Sequence, residues 1–209
     1  MLDVHAPEHG IGGPRDFMIH LLTITVGLLI ALGLENAAEA MHHRHQRREA
    51  ETMIRQELRD NEQLIESSKD QFEQERNGMN AVLADLELMS QGKTPATPLV
   101  EKEFVFHQAP MQDSAWRTAS STGVLSYMDY DEVERFSGAY KEQDQLEQME
   151  LKTLEDYLQL IPILMGHPKD IDAERAKDAR VYARLADAHL NGMYFIAVGT
   201  LGSYKQALQ

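Results

Sequence analysis

The run FMIHLLTITVGLLIALGL, residues 17–34, constrains this chain most. It contains no Lys, Arg, Asp or Glu, and Asp16 and Glu35 close it at its two ends. Eighteen helical residues at a rise of ~1.5 Å cover ~27 Å, about the hydrocarbon thickness of a bilayer. The run therefore predicts a single transmembrane helix over residues 16–35. A signal peptide is the rival reading, and Asn36-Ala37-Ala38-Glu39-Ala40 supplies small residues after the run. Against it, the preceding residues are more acidic than basic and the run is longer than a usual signal-peptide core. A retained anchor is the expectation.

Within the span, His20, Thr23, Gly27 and Ala31 fall on one helical stripe that continues to Glu35. Small residues four apart let two helix backbones approach closely in lipid, where no hydrophobic force drives helices together. His20, Thr23, Gly27 and Ala31 are thus the candidate helix-packing face, with other transmembrane helices as partners. Alternatively, Gly and Ala are simply common in membrane helices, and His20 lies near enough to the surface to snorkel.

Arg15 precedes the span, whereas Arg44, Arg47 and Arg48 follow it, so the positive-inside rule favours a cytoplasmic C-terminal domain. The net charge of −14, from 34 acidic and 20 basic side chains, repels nucleic acid and anionic headgroups. No nucleic-acid partner is expected. Cysteine is absent, which removes disulfides, thiolate metal sites and cysteine nucleophiles.

After a Gly- and Pro-rich tail at 1–15, the transmembrane helix at 16–35 should continue as a long juxtamembrane helix over 36–90. Leu58, Ile65, Phe72, Met79 and Leu86 recur every seven residues. Their partner positions are Ile54, Asn61, Ser68, Glu75, Val82 and Met89, apolar at the ends and polar in the middle. That is not a clean coiled-coil seam, and packing in cis on later helices is favoured. Gly92, Pro95 and Pro98 break the helix, giving a loop or linker at 91–112 in which 99–107 reads as a short helix or extended segment. Residues 113–209 are expected to form a helical bundle packing on the long helix. Asp113 caps a short helix ending at Gly123, and Asp129 or Asp131 opens a longer one. Val133, Phe136, Tyr140, Leu146, Met149, Leu154, Tyr157, Leu158 and Ile161 supply its apolar face, Pro162 kinks its end and Gly166-His167-Pro168 stops it. A last helix runs from near Asp170, and Leu190 to Leu201 reads as buried core. The fold class is all-α: an N-terminal transmembrane helix, its long continuation and an antiparallel helical bundle.

Two clusters invite chemistry. Glu35, Glu39, His42, His43 and His45 combine carboxylates and imidazoles, with Glu35, Glu39 and His42 on one helical face, a pattern able to hold a divalent metal. No second Glu-x-x-His occurs to complete a di-iron bundle site, and a hydrated collar at the membrane surface explains the same residues. The expectation is therefore no cofactor, with a metal-binding sensor or metal-dependent enzyme as the alternative. Ser114, Ser120, Ser121 and Thr122 lack the context of a nucleophile, and Trp116, the single tryptophan, reads as packing.

The span followed by HHRH, then Ala115, Trp116, Thr118, Ser121, Gly123 and Leu125 ahead of a further helix, resembles a group of uncharacterised bacterial single-span inner-membrane proteins. These have an N-terminal transmembrane helix and a helical soluble domain. The resemblance implies a bacterial inner-membrane location and no particular activity. Sequence and resemblance together lead to a non-enzymatic membrane-anchored scaffold or accessory subunit of a homo-oligomer or larger complex.

Overall fold

In the computed structural model the described residues are 13–95, 106–165 and 171–209, and among them every regular element is helical. The expected tail at 1–15 lies largely outside them, as do most of the 99–107 segment and the Gly166-His167-Pro168 stop. Helix α1 runs Pro14–Ser90, α2 Ser114–Thr122, α3 Tyr130–Leu164 and α4 Ala173–Ala207; a 3-10 turn, Val124–Tyr127, links α2 to α3. The chain divides into two compact units, residues 1–48 and 49–209.

In the first unit α1 opens at Pro14, where a missing amide proton costs nothing. Phe17, Leu22, Ile24, Leu29 and Leu34 are each more than 60% exposed. Thr23 and Thr25 donate their hydroxyls to the carbonyls of Ile19 and Leu21, four residues back, so neither needs an outside partner.

The second unit is organised by period rather than composition. The eleven heptad positions of α1 from Ile54 to Met89 are all buried, the polar Asn61, Ser68 and Glu75 included. Helix α4 has the same period: Ala176, Ala179, Ala183, Ala186, Leu190, Met193, Ala197, Thr200, Tyr204 and Ala207 are buried at alternating steps of three and four. Such a seam winds helices left-handedly at shallow angles. Six of its ten side chains are alanine methyls, which let the α3 and α4 backbones pack closely along their lengths. The apolar run at 190–201 is buried on that face alone; Phe195 and Val198 are exposed.

Helix α3 departs from the expected apolar face. Phe136, Tyr140, Leu146 and Tyr157 are buried as expected, but Leu158 and Ile161 are exposed, and Glu132, Gln143, Glu150 and Thr153 are buried in their place. The buried set 132, 136, 139, 143, 146, 150, 153, 157, 160 is again a heptad seam. Choosing apolar residues alone captures most of the face but includes Leu158 and Ile161 and leaves out its buried polar members, of which Gln143 and Glu150 bond the strap.

Cross-helix contacts fix the directions. Arg55 donates to Glu132 at 2.7 Å and to the Ala207 carbonyl at 3.3 Å, and its guanidinium lies over the Phe136 ring. Arg180 pairs with Glu87 and reaches Ser90. Glu57 meets Tyr140 and Asn61 meets Gln143, so α1 and α3 run the same way. The pairs 55–207, 66–205 and 87–180 show α4 running opposite to α1. The antiparallel arrangement anticipated for residues 113–209 thus holds for α4 against its neighbours, while α3 is parallel to α1.

Candidate functional site

Two parallel helices need a return connection, and that return is the polar partner. Residues 106–113 are non-helical and run antiparallel to α1 and α3 as a strap. His107 meets Glu75, Ala109 meets Glu150, Gln112 meets Asn61, and Ser114 meets Glu57. The spacing follows from backbone geometry. From Glu150 to Gln143 is one heptad, ~10.5 Å of helix; from Ala109 to Gln112 is three residues, ~10 Å of extended chain. A strap of this pitch therefore meets a heptad position about every third residue.

Four polar heptad residues, Asn61, Glu75, Gln143 and Glu150, satisfy strap backbone. Asn61 makes a two-way pair with Gln112, accepting its N–H at 2.8 Å and donating to its carbonyl at 2.6 Å. Asn61 also donates to Gln143, whose carbonyl oxygen accepts from the Tyr204 hydroxyl at 2.7 Å, so α1, α3, α4 and the strap share one network. Glu75 accepts from the His107 backbone N–H and lies 2.9 Å from its Nδ1. Glu150 accepts from the Ala109 N–H at 3.2 Å. Unpaired backbone donors in such a place would cost ~1–3 kcal/mol each, which is why acids and amides stand at core positions.

Glu57 has a second task. Its carboxylate accepts from Ser114 Oγ at 2.8 Å, Ala115 N at 2.9 Å, Trp116 N at 3.4 Å and Tyr140 Oη at 2.6 Å. The first three are at the N-terminus of α2, so the cap comes from α1. Asp113 stands at the N-cap position but its side chain caps nothing; it pairs with Arg117 instead. A carboxylate at a helix N-terminus also meets the positive end of the macrodipole. Trp116 stacks on Tyr140 with centroids 5.3 Å apart, the packing role expected of it. Gly123 closes α2 at φ 75°, a left-handed conformation that glycine adopts without strain. Ser114 is a donor to Glu57, and Ser120, Ser121 and Thr122 donate to carbonyls of their own helix.

Burial shapes the titration of this network. It pushes the Glu150 carboxyl up to about 7, with neighbouring Glu147 and Glu75 adding to the shift against the Ala109 hydrogen bond. It raises Glu75 too, opposed by the contacts with His107, and raises Glu147. One Glu75 oxygen, Oε2, is fully buried with no hydrogen-bond partner among the described residues. The Tyr140 phenol is held well above its usual range by burial and then by Glu57. Between strap and α3 lies a cavity of about 270 Å³ lined by Gln108, Ala109, Pro110, Met111, Glu147, Glu150 and Leu151.

The residues singled out from sequence lie elsewhere. Glu35, Glu39, His42, His43 and His45 all project from α1 in the first unit; Glu39 and His43 lie 3.9 Å apart, and the His42 and His43 rings are 6.2 Å apart between centroids. Glu39 therefore faces His43, at four residues, rather than His42 at three. Among the described residues no three such side chains converge to hold an ion. His20, Thr23, Gly27 and Ala31 are exposed, and a Cβ added at Gly27 would touch nothing within 4 Å. Sequence reasoning missed Glu57, Glu150 and His107. Their one signal was the polar middle of the α1 heptad, where Asn61, Ser68 and Glu75 interrupt an otherwise apolar series. No protein family, curated protein or solved structure matches this chain.

Proposed function

We propose that the chain is a non-enzymatic, single-pass membrane-anchored scaffold or accessory subunit, working in a homo-oligomer or a larger bacterial inner-membrane complex. One observation carries the reading. An 18-residue window of α1 has a mean hydropathy of 2.3, and none of it is buried within the chain. A core helix of that composition would be covered by protein; this one has no cover among the described residues, and lipid supplies it at no cost in polar groups because the helix satisfies its own backbone. The domain at 49–209 is then tethered to the bilayer, its C-terminal part in the cytoplasm by the arginine balance around the span. Its core carboxylates are engaged in holding its own strap, which favours a structural use.

The test is fractionation followed by mass measurement in mild detergent. The protein is expected in the membrane pellet after alkaline washing and as an oligomer or with a stoichiometric partner in native mass spectra. Recovery as a lone monomer would overturn the assembly role; recovery in the soluble fraction would overturn the anchor.

A further inference from the structure

We propose that the strap at 106–113 is a pH-dependent latch, held closed while the buried carboxyls of Glu75 and Glu150 carry a proton and loosened when both ionise. The latch lies wholly within residues 49–209 and does not rest on the reading of the span.

The geometry is a convergence of two acids from two helices on three residues of strap. Glu75 of α1 holds His107, and Glu150 of α3 holds Ala109. Both carboxyls are 4% exposed or less. Among the described residues neither is paired with a Lys or Arg. Apart from the His107 imidazole, the groups that face them add no compensating cation among the described residues. On α1, Arg76 follows Glu75 in sequence, but its guanidinium lies 5.1 Å over the Tyr194 ring of α4. On α3, Glu147 adds like charge to Glu150, and Tyr157 is a buried phenol in the field of Glu75 and of Asp187 from α4. The strap itself offers His107, one imidazole shared with Glu75. Two buried carboxylates with no Lys or Arg partner repel each other and lack solvation, so their neutral forms belong to the closed state.

Opening gives both acids water. The cavity lined by Glu150, Ala109 and Pro110 lies on one side of the strap, so loosening the strap gives the proton a way out without unfolding the helices. The upper end of the strap is held differently: Gln112 is gripped by the amide of Asn61, which does not titrate. The latch therefore loosens from the His107–Ala109 end.

The sign follows from linkage. Burial raises the Glu150 carboxyl to about 7 from its solvated value of 4.5, and opening, which exposes it to water, takes it back towards that value, so the proton is held more tightly closed than open. Closure is then favoured at low pH and weakens as pH rises through neutrality. Between pH ~6 and ~8.5 the closed-to-open ratio should fall about tenfold for this group alone.

Hydrogen–deuterium exchange on the full chain in detergent tests this, with rates corrected for the intrinsic effect of pH. The amides of His107 and Ala109 should lose about tenfold protection between pH ~6 and ~8.5, while those of Leu58 and Ile65 hold theirs. Glu150→Gln, which still accepts from Ala109 but cannot ionise, should flatten most of that change, and Glu75→Gln combined with it should abolish the rest. Protection at His107 and Ala109 that is independent of pH in the wild-type chain overturns the proposal, whatever the variants do. So does a pH-dependent loss that survives in the double variant.

Discussion

The two halves of helix α1 bury the opposite of what hydropathy suggests. Residues 17–34 are apolar and none of that window is covered by the described residues, whereas the seam from Ile54 to Met89 includes Glu57, Asn61, Ser68, Glu75 and Asp85, all buried. The same backbone thus carries two different instructions. In the first half composition is continuous around the helix and specifies a solvent. In the second half the seven-residue period specifies neighbours, and the polar residues on the seam specify which neighbour is a helix and which is a bare strap. Burial there follows hydrogen-bonding need as much as apolar area.

The sharpest way to break the contrast is to make the first half polar. Leu28→Arg with Leu29→Arg should raise the cost of membrane insertion by roughly 5–7 kcal/mol, at ~2.5–3.5 for each central arginine. The protein should leave the membrane pellet in an alkaline-wash fractionation. The denaturation midpoint of the 49–209 unit should be unchanged, since neither side chain contributes to its core. A double variant that stays in the pellet means that the span is not what anchors the chain.

The reverse change, removing a charge from the buried half, should unfold rather than release. Glu57→Ala leaves Ser114, Ala115, Trp116 and Tyr140 without their acceptor. Each orphaned donor costs ~1–3 kcal/mol, partly recovered by water, so a loss of about 3–4 kcal/mol is expected. Urea titration in detergent, followed by the fluorescence of the lone Trp116 stacked on Tyr140, reads it directly. Glu57→Gln should lose less than half as much. A Glu57→Ala protein as stable as wild type would mean that α2 does not depend on α1 for its cap.

This division explains what the sequence could disclose. The extent of α1 was legible, because Pro14 opens it, no proline interrupts it and Gly92 with Pro95 ends it. The seam was legible too, since Leu58, Ile65, Phe72, Met79 and Leu86 keep a strict period. Asp172 caps α4 through its own side chain, the local kind of signal that a sequence carries. The strap was not legible. Residues 106–113 have no period of their own, and their structure is set by acids that lie 32 to 57 positions away, as His107 to Glu75 and Ser114 to Glu57 do. The α3 face misleads for the same reason: Leu158 and Ile161 look like core until the strap is known to want Gln143 and Glu150. The parallel course of α3 also depends on that return segment.

A smaller effect separates the halves by pH. Glu75, Glu147 and Glu150 are all raised by burial, and all lie in the second unit. Acids raised on folding hold their protons more tightly folded than unfolded, so the stability these three contribute is fully present below about pH 4.5 and, for Glu150, is lost as pH climbs through about 7. The loss should be on the order of 2 kcal/mol, since a tenfold difference in proton affinity is worth ~1.4 kcal/mol. Thermal melts of the 49–209 unit in the intact protein should move down between pH ~5 and ~8. Glu150→Gln should remove much of that slope. A melting temperature that rises over this interval would show that the buried acids are not titrating as their burial requires.

The least effect is expected within the span, and it decides whether the first half has neighbours as well as a solvent. Thr23 already spends its hydroxyl on Ile19, and Gly27 has open space around it in the single chain. Any use of the stripe of His20, Thr23, Gly27 and Ala31 must therefore be between chains, through close backbone contact and not through a polar bond from Thr23. Gly27→Leu should separate two helices packed on that stripe and weaken assembly by about 1 kcal/mol, the scale of interhelical terms in lipid. Leu29→Ala, on the other side of the helix, should leave assembly as it is. Crosslinking yields of the two variants in the same detergent make the comparison. If Gly27→Leu crosslinks as wild type does, the stripe of His20, Thr23, Gly27 and Ala31 is not the interface, and the contrast between the halves of α1 sharpens: the heptad half is packed on neighbours, whereas the stripe is not.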